Sequence, residues 1–168
     1  TAQSIASDMV KIYVNGVLDT SGTAAGTTPV SNSDSLYIGK RGFNTYPGMM
    51  DNIRIWSRNL SSAEIARNMR SSLSINPSGS NYYSGLVYSI GFENSNTASG
   101  LTTTFDYTTS SNPVINHNVA FLSMVNKLPE YLSVNEALEF DGSGDYAAVP
   151  QAGGLNVQGT FTMEAWVF

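Results

Sequence analysis

At 168 residues, 41% of them hydrophobic, the chain is long enough to bury a core. Charged residues make up only 12% and the net charge is -5, with no cluster of Lys or Arg to neutralise a run of phosphates, which excludes nucleic acid and disfavours anionic membrane surfaces. The absence of Cys excludes disulfides, thiolate zinc sites and thiol nucleophiles together, and no apolar run is long enough for direct membrane insertion.

Ser, Thr, Asn and Gly fill the surface positions, which is the composition of a secreted all-β module. Val10-Lys11-Ile12-Tyr13-Val14 alternates apolar and polar, Asn15-Gly16 supplies residues that tolerate positive φ, and Val17-Leu18 resumes the pattern. This predicts a β-hairpin. Ser35-Leu36-Tyr37-Ile38-Gly39 and Asn52-Ile53-Arg54-Ile55-Trp56 alternate again, each predicting a strand with one buried face. At Asn59-Leu60-Ser61-Ser62-Ala63-Glu64 the grammar changes. Ser61 can cap the amide of Glu64 while Glu64 reaches back, and Leu60, Ile65 and Met69 follow helical spacing, so a short helix is expected over 62–71.

Pro77, Gly79 and the Ser and Asn around them predict a linker over 74–84. A new strand is expected from Gly85 to Ile90, then loops with short strands over 97–118. Strands return at Ala137-Leu138-Glu139-Phe140, at Tyr146-Ala147-Ala148-Val149-Pro150, and at Phe161 to Val167, where Phe161, Met163, Ala165 and Val167 share one face. Short strands between turns, with one brief helix, mean an all-β antiparallel sandwich.

Three motifs together resemble the laminin-G-like, concanavalin A-like jelly-roll superfamily of bacterial surface proteins. They are Lys11-Ile12-Tyr13-Val14-Asn15-Gly16-Val17; Gly48-Met49-Met50-Asp51-Asn52-Ile53-Arg54-Ile55-Trp56 with the capped helix; and Ala137 to Tyr146 followed by Phe161 to Val167. The resemblance implies a jelly roll, yet the motifs stand in reversed order, the family's closing segment first. The expectation is therefore that 1–73 is the C-terminal part of one jelly roll, 74–84 the linker, and 85–168 the N-terminal part of a following or strand-exchanged one, cut from a longer repetitive protein. Each half alone would expose unpaired strand edges. Neighbouring repeats of the same or another copy of the chain are then the expected partners.

Members of this family often hold a structural Ca²⁺, and the matching positions are Asp51, Asp141 and Asp145, with a carbonyl such as that of Gly142 completing a shell of hard oxygen ligands. The bland alternative is that Asp141-Gly142 is a turn and Asp145 a solvated charge. Glycosidases on this scaffold need two facing carboxylates. Glu139 and Asp141 lie at i, i+2, but Ser143 and Gly144 stand where the last Glu of the laminarinase-type pattern would be, so no catalytic residue is expected. Among the aromatics, Trp56 and Trp166 are expected to pack inside the fold, and Tyr46, beside Pro47 in a loop, is the candidate for stacking on a sugar. His117, between two Asn residues, reads as a surface loop residue.

The resulting expectation is a non-catalytic repeat of a large adhesin or filament, secreted to the surface of a Gram-negative bacterium as gliding adhesins are, touching glycans or surface polymers through weak multivalent contacts. A carbohydrate-binding module of a polysaccharide-degrading enzyme and a pure structural spacer are the alternatives.

Overall fold

The Asn15-Gly16 hairpin forms as its alternation predicts. β1 (Ala2–Ala6) pairs antiparallel with β2 (Met9–Val14), and β2 turns through Asn15 and Gly16, at φ of 51° and 75°, into β3 (Val17–Thr23). The molecule is a computed structural model that describes residues 2–6, 9–23, 34–70, 84–91, 103–105, 108, 113–123, 136–150, 155, 157 and 159–168. The remaining strands are β4 (Leu36–Ile38), β5 (Lys40–Arg41), β6 (Asn44–Thr45), β7 (Pro47–Trp56), β8 (Leu86–Ile90), β9 (Thr103–Phe105), β10 (Pro113–His117), β11 (Ala120–Ser123), β12 (Glu136–Asp141), β13 (Tyr146–Val149) and β14 (Phe161–Val167). One helix, α1 (Ser62–Asn68), follows β7.

An eight-stranded antiparallel sheet runs in the order β11-β12-β7-β14-β1-β2-β3, with β8 also paired to β7. A four-stranded sheet runs β4-β13-β10-β9, and β5-β6 is a separate hairpin. The long strand β7 organises the larger sheet. β12 takes one edge at Pro47–Met50, β8 continues along that edge at Ile53–Trp56, and β14 takes the other. Ile53, Ile55, Tyr88, Ile90, Leu138 and Phe140 pack with Ile38, Val114, Ala147 and Val149 of the smaller sheet, and Met163 and Ala165 of β14 join them. This is the all-β sandwich with one short helix.

The helix starts as predicted. The Ser61 amide donates to Glu64 Oε2 at 2.8 Å and the Glu64 amide to the Ser61 hydroxyl at 3.3 Å, the reciprocal capping box. It ends at Asn68, earlier than the expected 71. Tyr13, Trp56, Leu60 and Ile65 form a second apolar cluster beneath it. The expectation of one buried face on Asn52–Trp56 is therefore corrected: Ile53 and Ile55 face the sandwich, Arg54 and Trp56 face α1, and all four are at most 6% exposed. The chain that leaves β7 folds straight back over its polar face.

The segments expected to belong to consecutive sandwiches meet in one sheet, because β12 and β14 supply hydrogen-bond partners for both edges of β7. Of the expected linker, 74–83 lies outside the described residues, and Ser84 uses its carbonyl to accept from Arg58 Nε at 2.7 Å.

Candidate binding cleft

Opposite β14 the register of β7 slips. Arg54 faces Glu164 and Asp51 faces Trp166, so β7 carries one residue more than β14 between them, and Asn52 adopts φ of 50° there. This is a β-bulge, a device that re-aims side chains. It puts Asp51 on the same face of the sheet as Trp166, Glu164 and Arg54, the face that α1 covers.

On that face three polar side chains close around one carboxyl. The Trp56 indole donates to Glu164 Oε2 at 3.1 Å, the Asn68 amide donates to both carboxyl oxygens at 3.3 and 3.4 Å, and Arg54 Nη1 stands 4.0 Å from Oε2. Arg54 Nη1 also donates to the Asn68 carbonyl at 3.0 Å, tying β7 to the end of α1. Glu164 and Arg54 are 9% and 3% exposed. Burial pushes the Glu164 carboxyl above the usual carboxylate range, while Arg54, the indole and the Asn68 amide pull the other way.

A cavity of ≈ 340 Å³ opens beside this cluster, between α1, the end of β14 and the β2–β3 turn. Arg54, Glu164 and Asn68 contribute polar groups to it, and Ile65 and Met69 contribute apolar surface from the helix side. Trp166 and Phe168 line it as a pair, their rings nearly parallel at 12° with centroids 6.1 Å apart. The cleft thus offers aromatic side chains beside buried donors and one carboxyl, which suits binding. Among the described residues that line it Glu164 is the only carboxylate, one short of the pair that glycoside hydrolysis needs.

The calcium positions are not gathered into one shell. Asp141 pairs with Pro47 across β12 and β7, and Asp51 lies four residues further along β7, ~13 Å at the rise of a strand. Asp51 is fully buried and accepts from the Asn52 amide at 2.6 Å and from the Asn52 side chain at 3.0 Å. Asp141, Gly142 and Asp145 do share a turn, but its oxygens serve the turn: Asp141 Oδ1 accepts from the Ser143 amide at 2.6 Å, Asp145 Oδ2 accepts from the Asp141 amide at 2.9 Å, and the Gly142 carbonyl accepts from the Thr45 hydroxyl. These four residues therefore do not fit a common Ca²⁺. Among the described residues no group of three His, Asp or Glu could hold a metal.

Tyr46 is placed differently from a sugar platform. Its ring packs edge-on against Phe140 at 6.2 Å and its hydroxyl donates to the Phe168 carbonyl at 2.9 Å. It holds the end of β14 from behind. Trp56 is buried under α1 as expected, whereas Trp166 borders the cleft instead of filling the core. His117 is the last residue of β10 rather than a loop residue, stacked on Tyr146 at 4.2 Å with Lys40 Nζ 4.3 Å from the same ring.

Sequence reasoning missed Arg54, Asn68, Glu164 and Phe168. Arg54 and Glu164 occupy the polar positions of alternating strands, which alternation assigns to solvent. The available signal was the helix that follows β7 at once, since a helix must cover something.

Compared with known protein families, residues 2–66 match the one described as the Concanavalin A-like lectin/glucanases superfamily, a span that runs from β1 into α1. No curated protein and no solved structure matches the chain.

Proposed function

From the match of residues 2–66 to the concanavalin A-like lectin/glucanases superfamily, we propose that this chain is a non-catalytic binding module, a repeat segment of a large secreted surface adhesin or filament. The observation that carries the reading is the cleft, where the Trp166–Phe168 pair adjoins the buried Arg54–Glu164–Asn68 cluster with a single carboxylate among the described lining residues. One such cleft makes a weak contact, and repetition along a chain turns weak contacts into firm attachment. The charge-poor, Ser- and Thr-rich composition supports export to a cell surface. Among the described residues no helix is long and apolar enough to cross a membrane.

The test is binding of single and tandem copies to arrays of glycans and surface polymers. Tandem copies are expected to bind ~100-fold more tightly than single ones. Trp166→Ala is expected to abolish binding, and Tyr37→Ala, on the smaller sheet, to leave it intact. Binding that survives Trp166→Ala would remove the cleft from the reading.

The Trp166 and Phe168 rings at the cleft favour a second reading, a carbohydrate-binding module of a secreted polysaccharide-degrading enzyme, because pyranose rings stack on aromatic faces. It predicts that a single copy binds one defined saccharide.

A further inference from the structure

Among the described residues Phe43 is the most exposed large apolar side chain, at 105%, and it stands at the tip of the β5–β6 hairpin. That hairpin belongs to neither layer of the sandwich, yet its base is fixed. Lys40 pairs with Thr45 and Arg41 with Asn44, and the Tyr46 amide donates to the Gly39 carbonyl at 2.8 Å. The Thr45 hydroxyl donates to the Gly142 carbonyl, and Lys40 Nζ lies 4.3 Å from the Tyr146 ring. Gly42, at φ of 61°, makes the tight turn. The turn needs Gly42 but not Phe43, at a position where turns favour polar residues. An apolar ring held out in water on a braced hairpin is a knob with no hole in its own copy.

A complementary group lies on β3, the last strand in the order of the larger sheet. All seven residues of β3 are exposed, Leu18 among them at 47%. Tyr13 faces Leu18 but Ile12 faces Thr20, so Asp19 has no cross-strand partner, and this bulge sets a carboxylate beside Leu18. β6 leads directly into β7, and from β7 to β3 is four inter-strand spacings, ~19 Å, so knob and edge do not meet within one copy. Arg41 stands beside the knob as Asp19 stands beside Leu18. Both are exposed, and among the described residues neither forms an ion pair. The chain carries a net charge of -5, so copies repel one another on average and a basic tip favours approach.

We propose that the β5–β6 tip of one copy of this chain docks on β3 of a second copy, with Phe43 packed on Leu18 and Arg41 paired with Asp19. This rests on the reading of the chain as a repeat and names the contact between repeats. The two surfaces differ, so the contact is heterologous: each copy presents one tip and one edge, and association runs head to tail instead of closing as a two-fold dimer. Aromatic and Arg side chains are the anchors that interfaces favour. One of each makes a small, weak contact of the kind that repetition strengthens.

The test is sedimentation velocity of the full 168-residue chain at low salt, from about 10 μM to about 1 mM. The average mass is expected to climb with concentration, with a dissociation constant for the contact below about 1 mM, and to fall back at about 0.5 M salt. Phe43→Ala is expected to weaken association about tenfold or more and to leave the thermal midpoint unchanged, since the ring is fully exposed in its own copy. Arg41→Glu and Asp19→Arg are each expected to abolish association alone and to restore it when the two chains are mixed, because each supplies the charge that the other's contact lacks. No rise in mass at the highest concentration, unchanged association of Phe43→Ala, or no recovery in the mixture would overturn the proposal. Glycan binding that requires Trp166, without self-association, would overturn this contact and leave the binding-module reading standing. Self-association that obeys these substitutions, without glycan binding, would overturn the module reading and leave the contact standing.

Discussion

Trp56 and Glu164 are 108 residues apart in sequence, yet the indole of one donates to the carboxyl of the other at 3.1 Å in a buried contact. The bond joins the strand that precedes α1 to the strand that borders the cleft. Its loss is therefore a loss of both the fold and the site. Glu164→Ala would leave the Trp56 and Asn68 donors without their acceptor and the buried Arg54 without its neighbouring carboxylate, at a cost of about 3–5 kcal/mol in urea unfolding. Glu164→Gln keeps an acceptor and is expected to cost about 1–2 kcal/mol. Because burial raises the carboxyl above 4.5 in the folded chain, the folded state binds its proton more tightly than the unfolded state. Stability from this group is thus present at low pH and falls as pH rises through the window above 4.5. Glu164→Gln should flatten that part of the stability–pH curve.

Glu64 should act in the opposite sense. The Arg58 guanidinium donates to it at 2.8 Å and Ser61 donates from its amide and hydroxyl, which together hold the carboxyl down to about 2. Its contribution is complete above 4.5 and disappears as pH falls toward 2. The pair is partly solvated, so Glu64→Ala is expected to cost about 1 kcal/mol, through the lost cap and ion pair. A titrated melt of the Glu64→Gln and Glu164→Gln chains checks both signs in one experiment.

Tyr46 acts on the cleft through Phe168. Tyr46→Phe keeps the ring against Phe140 and removes the hydroxyl that donates to the Phe168 carbonyl, so a cost of about 0.5–1.5 kcal/mol and faster amide exchange at Val167 and Phe168 are expected. A side chain at Gly48 is a harsher test of the same joint. Gly48 sits at φ of 149°, and an added Cβ would run into the Phe168 carbonyl and the Tyr46 hydroxyl, so Gly48→Ala should destabilise by more than Tyr46→Phe. Equal or higher stability of Gly48→Ala would show that the end of β14 can relax away.

Calcium gives a sharp comparison. With Asp51 apart from the Asp141–Asp145 turn, and that turn's carboxylates accepting from backbone amides, the thermal midpoint is expected to be the same in Ca²⁺ and in EGTA. A rise in the midpoint that scales with Ca²⁺, lost in Asp141→Asn, would assign a site to that turn.

What the sequence determined by itself is what short-range physics decides. Alternation at period two specifies strands, Asn15-Gly16 accepts the positive φ of its turn, and Ser61 with Glu64 caps the helix, because each depends on residues within a turn or two of one another. Only the tertiary structure decided which polar positions meet solvent. Arg54, Asn68 and Glu164 follow patterns that any exposed strand or helix would show, and they become a buried cluster because α1 folds over β7 while β14 arrives from the far end of the chain. The same long-range pairing moved Tyr46 from the ligand side to the supporting side and kept Asp51 away from Asp141. A contact between distant segments leaves no local signature, since each partner satisfies its own propensity equally well without the other.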